Sequence, residues 1–148
     1  MTDTLLATFW ADGMWFGLDV SRVQEVLRDQ SIEPVPRAPS GVMGLVNLRG
    51  QVIAAIDLRV RLGSETTPRP ATPVHYICLS PGVLESLVVD HEGDVIDVAA
   101  TELGEVPETT PASIAALLRG AVMCHDELLL VLDLDRVLRT GDGDGGRW

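Results

Sequence analysis

The chain has 148 residues, with 11 Lys or Arg against 22 Asp or Glu, a formal net charge of −11, 46% hydrophobic residues and 4% aromatics. That length buries a sizeable core without metal or disulfide staples, and an apolar fraction this high excludes wholesale disorder. Every cation is Arg, which excludes a Schiff-base or phosphate-loop lysine, and the acidic balance speaks against nucleic acid and anionic lipid surfaces.

Residues 5–10 and 14–20 are apolar runs flanking Asp12-Gly13, a hairpin signal. Val20, Val23 and Leu27 then recur at spacings of three and four, which predicts a helical turn or two, with Ser21 and Gln24 as a capping box. Pro34 and Pro36 end regular structure there. Residues 42–48 and 52–56 predict a second hairpin about Arg49-Gly50-Gln51, and 57–62 a short helix stopped by Gly63. Residues 64–73 hold three prolines without periodicity and read as a linker. Beyond it, strands are predicted at 74–79, 83–89 and 95–98. Thr110-Pro111 opens a helix with Ile114, Leu117 and Leu118 as its buried stripe and Gly120 at its end. Residues 121–124 and 128–132 form a last hairpin, 133–139 a short helix, and 141–148 a Gly- and Asp-rich tail expected to be flexible.

The sequence repeats. An offset of 76 carries Gly44 onto Gly120, Val46 onto Val122, Gln51 onto Glu127 and Ile56-Asp57-Leu58 onto Leu132-Asp133-Leu134. An offset of 69 carries Leu18, Val20, Glu25 and Val26 onto Leu87, Val89, Asp94 and Val95. Two copies of a unit with about five short strands are implied, and small barrels remove the edges such strands would expose. The expectation is a mainly β chain: a first barrel at 5–63, the linker 64–73 and a second barrel at 74–140.

Val23-Gln24-Glu25-Val26, the run Gly44-Leu45-Val46-Asn47-Leu48-Arg49-Gly50-Gln51-Val52-Ile53, Asp57-Leu58-Arg59, Leu87-Val88-Val89-Asp90 and Leu132-Asp133-Leu134, in that order, resemble the CheW family of chemotaxis coupling proteins. The resemblance spans about residues 5–140. It implies a CheW-like fold of two packed five-stranded SH3-like β-barrels with short helices, and no catalysis or cofactor. It also implies an adaptor role, joining the cytoplasmic tip of a methyl-accepting chemoreceptor to the regulatory domain of a CheA-type histidine kinase. The receptor hairpin would lie in an apolar groove between the barrels, and the kinase at barrel ends. By position, Val23, Glu25, Gly44 and Arg49 match receptor-coupling positions, and Val74 and Val95 match groove positions of the second barrel. No kinase-contact residue is assigned. Three positions depart from the family pattern: Ser86 stands for a glycine, Glu92 for an apolar residue, and Ala54-Ala55 where a proline is common.

Each residue has a plainer alternative. Arg49 is equally a turn residue paired with Asp57 or Glu25; Asp57 and Asp133 suit helix caps; Val23 and Leu27 suit a core. Cys124-His125 is no dyad on a strand, because neighbours face opposite ways, and His75 with Cys78 is no metal pair for the same reason. The tail run 141–145 lacks the closing Glu of a calcium loop. No metal is expected. Without a long apolar run or a secretory leader, the cytoplasm is the expected compartment, at membrane-associated receptor arrays, with reduced thiols and no membrane insertion. Alternatives are a paralogue of a non-flagellar array that self-associates or binds only the kinase, and a small acidic enzyme using His91, Glu92 and Asp94.

Overall fold

The computed structural model describes residues 3–99 and 102–139. The tail at 141–148 lies outside them. The expected strands are present: β1 (Asp3–Ala11), β2 (Met14–Asp19), β4 (Val42–Leu48), β5 (Gln51–Asp57), β6 (Val74–Ser80), β7 (Val83–Val89), β8 (His91–Ala99), β9 (Leu118–Cys124) and β10 (Glu127–Leu132). Among the described residues three short α-helices follow β5, precede β9 and follow β10: α1 (Leu58–Leu62), α2 (Ala112–Ala115) and α3 (Leu134–Leu138). Asp57 caps α1 by accepting from the amides of Arg59 and Val60, and Gly63 ends it in a left-handed conformation at φ 69°. Asp133 caps α3 in the same way through the amide of Arg136.

Two predicted helical segments are corrected. Val20–Arg22 is a single 3-10 turn, and Val23–Arg28 is a strand, β3. The stripe of Val20, Val23 and Leu27 is not one face: Val20 and Val23 pack on the core of Phe9 and Tyr76, and Leu27 on the core of Ile53 and Ile77, while a bulge lies between Val23 and Glu25. Val23 pairs with Cys78 and Val26 with Tyr76, with one residue absorbed between them, so two valines three apart face the same core. Helix α2 has only one turn, and Pro111 precedes it without a side-chain cap. Leu118 and Gly120 belong to β9.

The offset of 76 holds in the structure: β4 maps onto β9 and α1 onto α3 residue for residue, and β5 onto β10 with one residue to spare at its end. The sheets, however, do not divide at the linker. One has the order β8-β1-β2-β10-β9 and the other β3-β6-β7-β5-β4. Each sheet takes its first hairpin from one half of the chain and its other three strands from the other half. Each sheet joins the halves twice, once in parallel (β2 beside β10, β5 beside β7) and once antiparallel (β1 beside β8, β3 beside β6). The expected barrels at 5–63 and 74–140 are therefore replaced by two strand-exchanged sheets.

Neither sheet closes as a hydrogen-bonded barrel. Each curls until a connecting segment bridges its outer strand: Glu33 pairs with Leu45 on β4, and Gly104 with Ala121 on β9. Small cores fill the curls, with Ile53, Ile77 and Val88 in one and Leu6, Val122 and Leu129 in the other. The largest core lies between the sheets and joins Phe9, Phe16, Tyr76, Leu87, Leu130 and Leu132. The Phe9 and Tyr76 rings meet there at 4.8 Å, tilted by 56°.

Candidate functional site

The site begins where the outer strands of the two sheets meet. β3 borders one sheet and β8 the other. Arg28 of β3 and Glu92 of β8 form an exposed ion pair at 2.8 Å across this seam. Behind them the Tyr76 hydroxyl donates to the Thr8 carbonyl at 2.7 Å, fastening β6 to β1. Burial pushes that phenol up to about 12.

Val95 is 57% exposed on β8. It lies opposite Ala7, while Leu5 lies opposite Asp97, so Val95 and Leu5 are diagonal neighbours on one face. Ala7 belongs to the inter-sheet core, and this exposed strip therefore continues the core outward. Val23 is half-buried against the same core from the β3 side. An accessible apolar margin thus runs along the seam.

Glu25 and Arg49 are joined. The Arg49 guanidinium donates to both carboxylate oxygens of Glu25, one contact at 3.3 Å. Arg49 sits in the β4–β5 turn at φ 50°, steadied by the Gly50 amide donating to the Asn47 side chain. Asp57, the other partner considered for Arg49, instead caps α1 and pairs with Arg69 at 2.8 Å.

The remaining two candidates lie inside. Val74 is 2% exposed in the inter-sheet core. Gly44 is buried in β4, where a Cβ would stand 2.3 Å from the Glu33 carbonyl oxygen. The two backbones approach because Glu33 and Leu45 exchange hydrogen bonds of 2.8 Å. Val74 and Gly44 therefore present no side chain at the surface. Gly120 repeats the device in the other sheet, with a Cβ placed 2.6 Å from the Gly104 carbonyl.

Two of the three departures from the family pattern are compensated. Glu92 has Arg28. Ser86 is buried with its hydroxyl 2.8 Å from Nδ1 of His75, whose imidazole burial pushes below its ordinary value. His91 and Asp94 are exposed on β8. Burial drives the Cys78 thiol up to about 12, an unreactive state. Among the described residues no group of three or more His, Cys, Asp and Glu gathers as metal ligands.

Sequence reasoning missed a buried charge cluster. Arg59 of α1 is 2% exposed and donates to both oxygens of Asp90, at 2.6 to 3.1 Å. It also donates to Thr67 and Pro68, and lies 3.4 Å from Asp12. Burial opposes the charge of Asp12, but hydrogen bonds from Ser64, Thr66 and Thr67 outweigh it and hold the carboxyl well below the usual range. The segment after α1 is therefore strapped onto the β1–β2 turn. Asp12-Gly13 had signalled only a turn, and Ser64, Thr66 and Thr67 only part of a linker.

Apolar residues also surface at one end of each sheet. Met123, 64% exposed, faces Leu128 across β9 and β10. Val52 of β5 is the counterpart of Leu128 under the offset of 76, and it too is exposed, as is Val83 on the neighbouring β7.

Similar proteins are found both by sequence and by fold. The chemotaxis protein CheW of Bacillus subtilis is 26% identical over 137 residues, covering 93% of this chain and 88% of that protein. The CheW of Klebsiella aerogenes is 24% identical over 125 residues, covering 84% and 75%. The crystal structure of the scaffolding protein TtCheW from Thermoanaerobacter tengcongensis superposes with a TM-score of 0.80 at 26% identity, covering 89% of this chain and 90% of that one. The model of the CheW-like domain matches residues 6–142, both strand-exchanged sheets included, and the chain belongs to the CheW-like family.

Proposed function

We propose that this chain is a non-enzymatic adaptor of a chemosensory assembly, coupling the cytoplasmic tip of a chemoreceptor to a CheA-type histidine kinase. The observation that carries the reading is the accessible apolar margin of Leu5 and Val95 beside half-buried Val23, where the outer strands of the two sheets meet. An amphipathic helical tip lays its i, i+3, i+4 face on such a margin, and the Arg28–Glu92 pair at the rim gives it direction. The relatives named chemotaxis proteins and the scaffolding protein of the same fold support this role. The kinase domain takes the apolar sheet ends at Met123–Leu128 and Val52–Val83. Single contacts of this size are modest, and the array supplies avidity. Placement is at the membrane through the receptor; no described helix is long and apolar enough to cross a bilayer itself.

The paired sheet ends favour one second reading, in which copies of this chain associate end to end and fill gaps in the assembly. Both readings are tested by retention on an immobilised receptor hairpin and on the kinase regulatory domain. The native chain is retained by both. Val95→Asp, at an exposed position, loses the receptor hairpin and keeps the kinase domain, while Met123→Asp does the reverse. Failure of the native chain to bind either partner from its own organism overturns the adaptor reading, and self-association by light scattering in that case selects the second.

A further inference from the structure

The chain crosses between the sheets at two corners that the internal repeat makes equivalent, and they are built differently. At the first, β7 leads into β8 through Asp90, which Arg59 holds from α1. The offset of 76 carries Arg59 onto Asp135, and the offset of 69 carries Ser21, beside Arg22, onto Asp90. At the second corner, where β2 leads into β3, Arg22 and Asp135 of α3 do form an ion pair, at 2.8 Å. The signs are exchanged: the helix now carries the acid and the crossing the base.

The surroundings differ more than the charges. Arg59 is buried, and residues 64–68 close over it through Asp12. Arg22 is 31% and Asp135 54% exposed, and the only further hold of Arg22 among the described contacts is its Nε donating to the Leu79 carbonyl at 2.9 Å. Asp12, which anchors the strap, corresponds to Pro81 under the offset of 69, a residue with neither a carboxylate nor an amide hydrogen. An open crevice lies on each side of the Arg22–Asp135 pair. One reaches the core residues Leu18, Leu132 and Leu134; the other runs along Leu79 and the Pro81-Gly82 turn.

We propose that the first corner is a fixed pivot and the second a latch, so that the two sheets part at Arg22–Asp135 while staying joined at Arg59–Asp90. The inference rests on the fold and on no partner. Opening lifts the β6–β7 turn away from α3 and admits water to Leu18, Leu132 and Leu134. Val23, at the margin where the sheets meet, directly follows the latch residue, so an occupant there and the state of the latch bias each other.

Hydrogen exchange on the full chain tests the proposal. Arg22→Ala and Asp135→Ala each speed exchange in residues 78–84 and 132–138 by about 1.5- to 5-fold, the range an exposed ion pair supports. The double variant adds little to either single one. Salt of about 0.5 M does the same to the native chain by screening the pair. Residues 10–14 and 64–68 keep their native protection in every case. An unchanged pattern at the second corner, or faster exchange at residues 64–68 as large as that at 78–84, overturns the proposal.

Discussion

Glu25 and Arg49 stand on opposite borders of the same curled sheet, one on β3 and the other in the turn that ends β4, and their ion pair closes the curl. The pair also lies on the surface, so closure and partner contact are separable. Arg49→Ala and Glu25→Ala are expected to leave the urea midpoint almost unchanged, because exposed ion pairs contribute little. The charge-swapped variant, Arg49→Glu with Glu25→Arg, restores whatever stability the single changes remove. If both residues only close the sheet, the swap also restores binding to the receptor hairpin. If the guanidinium touches the hairpin, binding stays lost, and calorimetry on the swapped protein distinguishes the two.

The buried cluster predicts a sharp response to acid. The folded state of Asp12 holds its carboxyl below the ordinary value of 3.8, so its contribution to stability is complete above that value. It is lost as the pH falls below 3.8 toward the lower folded value. Asp12→Asn, which keeps the left-handed φ of 50° accessible, flattens the acid limb of the stability curve and lowers stability at neutral pH. Arg59→Leu strands Asp90 and costs about 3–5 kcal/mol at neutral pH, measured by urea unfolding.

Gly44 predicts a backbone effect that resembles a binding defect. Gly44→Ala forces the Glu33 carbonyl away from β4 and costs at least about 2 kcal/mol. Gly50→Ala, at φ 86° with open space around it, costs only about 1 kcal/mol. Retention of Gly44→Ala on the receptor hairpin falls in proportion to its folded fraction. A loss of retention by fully folded protein would show that the position acts on the partner directly.

The elements were legible in the sequence where local chemistry decides them. Asp57 and Asp133 announce their helices as caps, Gly63 announces a helix end, and the offset of 76 places β9, β10 and α3 from β4, β5 and α1. The strand β3 was not legible, because a 3-10 turn and a bulge leave Val20, Val23 and Leu27 at a helical spacing although Val20 and Val23 pack on one core and Leu27 on another. Nor was the pairing of strands. Alternating apolar residues say that a strand has a buried face, and nothing about which strand lies beside it. At the candidate site, the Glu25–Arg49 pair was among the readings the sequence offered, whereas the burial of Val74 and the convergence of Asp12, Arg59 and Asp90 depend on contacts between distant segments.

Because each half lends its leading hairpin to the sheet completed by the other, half a molecule alone would carry two unfinished surfaces. A gene encoding a single half would specify an obligate, intertwined dimer. Duplication and fusion would turn that dimer into one chain, and fusion has only one join to make. The covalent connection falls at one corner, where the joining residues have become a strap, and the twin corner inherits no such tether. The asymmetry of this otherwise duplicated molecule thus follows from the arithmetic of linking two identical parts with one thread.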